Sequence, residues 1–346
     1  MRMKPASVLI PLIMLAFLAT VTALAYPRLS VEHGDACRSC HINPAGGGAR
    51  TEFGNYTTAL NELTFPQTKA AIIKRYRKPR IADNLILGFD TRHLLYQNGR
   101  IFRMQTDAYL TIEPFKQMYY HMRLGESGIS ESYALLTFKD EKYSLQAGRF
   151  YPSFGLHNDD HQALTRARSG IGPNQYLDGI ALSVEQYGVN VSAESFYQGQ
   201  RGIYGLHAYR SGTVASLGYL AGGSLRLSEE IGGSNGQFPT ARAIFGGLSF
   251  DRFTALGELD FNGKHSDTVI AYGALYGRIQ YGLWLVGEYN FFDGDRHLAS
   301  GVDEFVRLSA EIYPISFVEL RPSLTYYTRG YRDNQHDWFL QLHFGY

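Results

Sequence analysis

The chain has 346 residues with 33 basic and 32 acidic side chains, a near-neutral balance that gives no reason to expect a nucleic-acid partner. Aromatic residues and glycine are abundant, with 25 Tyr, 21 Phe and 37 Gly against 12 Pro, a mixture that suits an exported all-β protein. After the first 25 residues no apolar run reaches 18 residues, which excludes helical membrane spans.

Residues 1–25 read as a secretory signal peptide: Arg2 and Lys4, an apolar run from Val8 to Leu18, then the small-residue site Ala23-Leu24-Ala25. Residues 26–66 follow as a short segment holding both cysteines of the chain, in the run Cys37-Arg38-Ser39-Cys40-His41. A C-x-x-C-H run is the attachment site of c-type haem. Two intervening residues let both sulfurs reach neighbouring vinyl groups on one porphyrin edge, and the next residue falls under the iron. Cys37 and Cys40 are therefore the expected covalent attachment points, and His41 the proximal ligand of one covalent haem c. A zinc site would want a second ligand pair at suitable spacing, and none stands nearby. A thioredoxin-like pair belongs beside a βαβ unit, which these surroundings do not resemble. A simple local disulfide remains an alternative.

The sixth ligand has several candidates. No Met follows the motif before Met104. His33 lies four residues before Cys37, and His121 shares a predicted lumen-facing set with Gln117, Tyr119 and Arg123. His33 and His121 are taken as candidate distal ligands; His207 and His343 also fall on lumen faces, and a five-coordinate iron is allowed. The next run, "PAGGGAR", lacks the Lys-Ser/Thr of a phosphate loop. It reads equally as a flexible turn or as backbone packed against a porphyrin.

Residues 67–81 form a basic connector, with "QTKAAIIKRYRKPR" predicted as one helical piece broken at Pro79. From residue 82 to 346 the pattern alternates with period two. Sixteen strands are predicted, near 84–96, 101–112, 117–125, 130–138, 142–150, 176–185, 189–197, 202–210, 213–222, 240–250, 252–262, 267–278, 281–291, 302–312, 316–328 and 336–346. Their lengths match those of tilted membrane strands, and short turns alternate with longer loops, as in transmembrane antiparallel β-barrels. Glu258, Glu288, Arg307, Glu311, Glu319 and Arg321 are expected to line the lumen. The final strand sets Trp338, Leu340, Leu342, Phe344 and Tyr346 on one face, resembling the insertion signal of bacterial outer-membrane proteins.

Five histidines fall in predicted outward loops, each near an acid. "HNDDH" (His157, Asp159, Asp160, His161) is taken as a candidate extracellular metal site; "KHSD" (His265, Asp267), "DGDRH" (Asp293, Asp295, His297) and "QHD" (His336, Asp337) repeat the pairing. Imidazole with carboxylate suits Fe(II) or Mn(II), and plain polar loops are the alternative.

The signal peptide, the early CxxCH with Pro44 and Phe53-Gly54 nearby, and a barrel running to the C-terminus together resemble the fused monohaem cytochrome–porins, best known from the outer membranes of iron-oxidising bacteria. The resemblance implies a haem segment tucked inside a barrel in outer-membrane lipid, taking electrons from an extracellular donor such as iron and passing them to periplasmic cytochromes, with Cys37, Cys40 and His41 matching the haem motif. Three other readings stay open: the barrel subunit of a multihaem conduit, a transport porin whose plug is stapled by a disulfide, and a haem sensor or peroxidase.

Overall fold

A computed structural model describes residues 27–346 except 56–58, 60, 70–79, 159, 171–174, 199–200, 231–239, 264–266, 299, 331 and 346. The predicted signal peptide, most of the predicted basic connector, Asp159, His265 and Tyr346 therefore lie outside the described residues.

Sixteen strands form the wall. The first eight are β1 (Leu85–Tyr96), β2 (Ile101–Phe115), β3 (Met118–Gly125), β4 (Gly128–Phe138), β5 (Tyr143–Phe150), β6 (Leu177–Gln186), β7 (Val189–Gln198) and β8 (Arg201–Val214). The second eight are β9 (Leu217–Glu230), β10 (Ala241–Phe250), β11 (Phe253–Asn262), β12 (Thr268–Gln280), β13 (Leu283–Asp293), β14 (Val302–Ile315), β15 (Val318–Arg329) and β16 (His336–Gly345). Each pairs antiparallel with its sequence neighbours, and β16 closes on β1 from Phe339↔Tyr96 to Gly345↔Asp90. Closure leaves no free edge, so the apolar last strand is a seam and not an aggregation-prone border. A short extended piece, Arg80–Ala82, pairs with the start of β1.

The direction of the alternation separates this wall from that of a soluble sandwich. On β14, Leu308 is 66% exposed while its neighbour Arg307 is 2% exposed. Glu288, Glu311, Glu319 and Arg321 are buried on the same inner side, whereas Leu285, Leu324 and Trp338 face outward. An apolar exterior around a charged interior is what lipid demands of a barrel.

One turn lies elsewhere than predicted. The sequence places the β8–β9 turn at Arg210–Gly212, but both strands run further and turn at Ala215, which adopts φ 56°. Gly212 stays in the ladder, opposite Tyr219, and Gly34 packs on its backbone, where a Cβ on Gly34 would come within 2.8 Å.

The lumen is filled from both ends. From the short-turn end rises the N-terminal segment, with helix α1 (Pro27–His33) and a one-turn helix α2 (Cys37–Cys40). Helix α1 lies flat on the wall, since Gly218 has no Cβ to strike the Val31 carbonyl and Gly247 leaves room for the Val31 side chain. Its Arg28 pairs with Glu311, and the guanidinium lies 4.6 Å from the Trp284 ring centroid and 5.0 Å from that of Tyr276. From the other end, the long connection between β5 and β6 folds inward and carries a short helix, α3 (Leu164–Ala167). It buries Phe154, Leu156 and Leu164 against the wall and the N-terminal segment.

Candidate functional site

Both cysteines sit on the one-turn helix, closed by His41 N–H donating to the Cys37 carbonyl at 3.1 Å. Three-residue spacing brings both onto one helical face. The chain then turns extended at His41 (φ −123°, ψ 149°), and His41 pairs with Arg50 in an isolated antiparallel bridge. Between them, Gly46, Gly47 and Gly48 all adopt positive φ, at 89°, 75° and 62°, a run that non-glycine residues tolerate poorly. The glycines thus make a sharp turn, and also a close approach: a Cβ on Gly46 would meet Cys37 Cβ at 3.3 Å, and one on Gly47 would meet His157 Nε2 at 3.3 Å. Gly54 packs on the Cys40 carbonyl, and Thr51 N–H donates to it at 3.0 Å.

The wall fixes this turn in place. The Cys37 N–H donates to the Tyr209 hydroxyl at 3.3 Å, and Arg38 reaches the β4–β5 turn, where it pairs with the Glu141 carboxylate at 3.2 Å. Cys37, Cys40 and His41 then line one cavity of about 900 Å³, completed by residues including His207, Tyr209, Leu220 and Phe245.

The titrations suit a ligand set. Burial and the nearby Arg50 lower the His41 pKa to about 3, so its imidazole is neutral and ligand-competent, and its Nδ1 is buried without a protein partner. Burial pushes the Cys37 thiol up to about 11. Cys37 and Cys40 are not bonded to each other. An orphaned imidazole nitrogen, two thiols on one helical face and an apolar lining that includes Leu220 and Phe245 fit the chemistry of a covalent haem.

The candidate distal ligands separate. His33 stands at the cavity rim with Nε2 on Glu62 Oε2 at 2.7 Å, and that hydrogen bond raises its pKa, favouring the protonated form that cannot bind metal. His121 faces the lumen as predicted, but it does not line the cavity. Its Nδ1 meets Thr111 Oγ1 at 2.8 Å, and its ring stands near those of Tyr109 and Tyr133. Two other histidines do line the cavity, His157 and His207.

The described residues of the "HNDDH" run, His157, Asp160 and His161, turn into the barrel and line or border its cavities. The loop that carries it folds into the barrel, because its apolar residues and Asp160 have partners there. Asp160 pairs with Arg307, and that pairing holds its carboxyl down at about 2. His157 packs half-buried against the glycine turn, and desolvation with Arg166 nearby drives its pKa well below the ordinary value. His161, lowered to about 3 mainly by burial, lines a second, polar cavity of about 530 Å³ with Asp90, Arg92, Arg123 and Glu131. Gly46 and His157 border both cavities. Of the other loop pairs, His297 Nε2 lies 3.7 Å from Asp267 Oδ1 at the surface. Among the described residues no three His, Cys, Asp or Glu side chains converge as a metal site.

Sequence reading missed Tyr209, Leu220 and Phe245 as cavity residues. They sit on strands more than 160 residues from the motif, and alternation marks them only as inward-facing.

The fold matches known outer-membrane porins at low identity. An OmpT loop-deletion mutant from Vibrio cholerae superposes with a TM-score of 0.56 at 12% identity, over 76% of this chain and 99% of that one. Pseudomonas putida OprB gives 0.54 at 9% identity, over 81% and 96%. A triple mutant of Rhodopseudomonas blastica porin gives 0.53 at 11%, over 76% and 100%. No family model and no curated protein matches the sequence. The chain is thus a closed sixteen-stranded barrel of porin architecture carrying a folded N-terminal plug.

Proposed function

We propose that the protein carries electrons across the bacterial outer membrane by way of one covalent c-type haem held on the plug. The observation that carries this reading is the convergence of Cys37, Cys40 and His41 on one cavity of about 900 Å³ inside a membrane barrel. A hydrocarbon core of about 30 Å insulates the two sides, and a redox centre in the lumen divides that gap. The short turns mark the periplasmic end, so the plug stands where periplasmic cytochromes can reach it. The inward loop stands between the cavity and the outside, where the reading puts an extracellular partner such as iron.

When bound, a haem supplies a one-electron iron couple whose potential follows axial ligation and burial. The chain's own residues supply the rest: two thiols for attachment, a neutral His41 as proximal ligand, Tyr209 to register the helix, and an apolar rim of Leu220 and Phe245. A haem-stained gel of the outer-membrane fraction tests the assignment. The mature chain should stain and give one haem per chain by pyridine haemochrome, and Cys37→Ala with Cys40→Ala should abolish the stain. An unstained wild-type chain refutes it.

The porin architecture favours a second reading, solute conduction through a plugged barrel. Reconstituted liposomes showing a steady open-pore conductance, without haem, would establish that reading instead.

A further inference from the structure

We propose that His207, on the barrel wall, is the second protein ligand of the haem iron, with His41 the first. The proposal rests on the haem reading above and deepens it, because the plug would supply one ligand and the wall the other.

An iron-binding imidazole needs one nitrogen free to coordinate and the other held by a hydrogen bond that fixes ring and tautomer. His207 meets both conditions. Its Nδ1 lies 2.8 Å from Ser224 Oγ, on the adjacent strand β9. With Nδ1–H donating, Nε2 carries the lone pair, and among the described residues no protein group hydrogen-bonds to it. Its ring stacks on Phe245 at 5.2 Å with a 10° interplanar angle, so orientation is set by packing as well. Strand position adds rigidity that a loop ligand lacks.

The same wall holds the motif. Two residues along β8 from His207, on the same inward face, Tyr209 receives the Cys37 N–H. The rings of His207 and Tyr209 are 5.6 Å apart, so one strand positions both the attachment helix and the proposed ligand. Ser224 Oγ also accepts the Gly155 N–H at 3.0 Å, which ties the inward loop to the same hydrogen-bond chain.

Other donors in the cavity serve worse. His33 is held by Glu62. No Met lines the cavity. His157 is the real competitor, yet its Nε2 abuts Gly47, and Gly47 and Gly48 are the residues whose backbone approaches His41. His157 also sits on the inward loop, whereas His207 is held on a wall strand with its Nδ1 fixed by Ser224.

The test uses full-length haem-loaded protein and reads optical and electron paramagnetic resonance spectra, not activity. Wild type should be low-spin in both redox states. His207→Ala should become high-spin while retaining one covalent haem per chain, and added imidazole should restore the low-spin spectrum. His157→Ala should stay low-spin. His207→Gln, similar in size, controls for collapse of the site and should be high-spin with an intact, heat-modifiable barrel. A wild type that is already high-spin, a low-spin His207→Ala, or conversion by His157→Ala alone each overturns the assignment while leaving covalent haem standing. Absence of covalent haem from the wild type overturns the underlying reading, and this assignment with it.

Discussion

The two segments that fill this lumen are built on different terms. The N-terminal segment docks near the short-turn end through glycine seats and one deeply buried ion pair, Arg28 with Glu311, set among aromatic rings. The inward loop docks through dispersed polar contacts: Asp160 to Arg307, the Leu164 N–H to Asn290 Oδ1 at 2.9 Å, and Arg226 to the Ser169 carbonyl at 2.6 Å. The contrast is one of depth: the N-terminal segment centres on one fully buried ion pair, with more exposed ones at Arg38–Glu141 and Glu32–Arg278 around it, while the inward loop is tied by Asp160 and by hydrogen bonds spread along its length. Losing one tie should therefore matter far more to the first than to the second.

Arg28→Ala probes the larger effect. It leaves the Glu311 carboxylate buried without its cation, a change that costs about 3–5 kcal/mol. Trypsin should then release residues 27–69 from a barrel that still runs as folded on unheated gels; unchanged resistance would show that the glycine seats alone hold the segment. Asp160→Ala should cost less, about 1–2 kcal/mol, because Arg307 keeps Gln162 at 2.8 Å and Glu288 at 3.6 Å. Amide exchange should rise across residues 160–170 with the N-terminal segment still protected, and equal loosening of both would end the distinction. The smallest effect concerns pH. Glu62 raises the pKa of His33, so the pair contributes fully below the unfolded value of about 6.5 and its contribution fades as pH rises through the folded one. His33 is more than a third exposed, and the contribution stays under about 1 kcal/mol. Protease sensitivity of the N-terminal segment should increase from about pH 6 to about pH 8 in wild type and stay flat in Glu62→Gln; a wild type as flat as the variant would remove the pair from the account.

What was legible in the sequence follows the same division. The wall declared itself because lipid and lumen impose a two-residue rhythm, and Leu285, Leu308 and Leu324 face outward while Glu288, Arg307 and Glu319 face inward, as that rhythm requires. The CRSCH spacing is readable because it is local, and the structure adds that its three side chains line one cavity. The fate of HNDDH is not readable in the same way, because Asp160 finds Arg307 at a separation of 147 residues and nothing near either residue announces the pairing. Gly212 misled for a related reason: a glycine in a strand reads as a turn unless the second chain segment resting on it is known. His207 was visible as a lumen residue, but only the placement of Ser224, Phe245 and the cavity beside it separates it from His121 and His343.

The position of Cys37 also sets an order on how the molecule is made. Once α1 rests on Gly218 and Gly247, the thiol faces the interior of the barrel, backed by Gly46, and its high pKa of about 11 leaves almost none of it as reactive thiolate near neutral pH. An enzyme that modifies this cysteine cannot follow it into the lumen. On the haem reading proposed above, attachment at Cys37 therefore belongs to the still undocked segment, and closure of the barrel around it is the step after which no second attempt can be made.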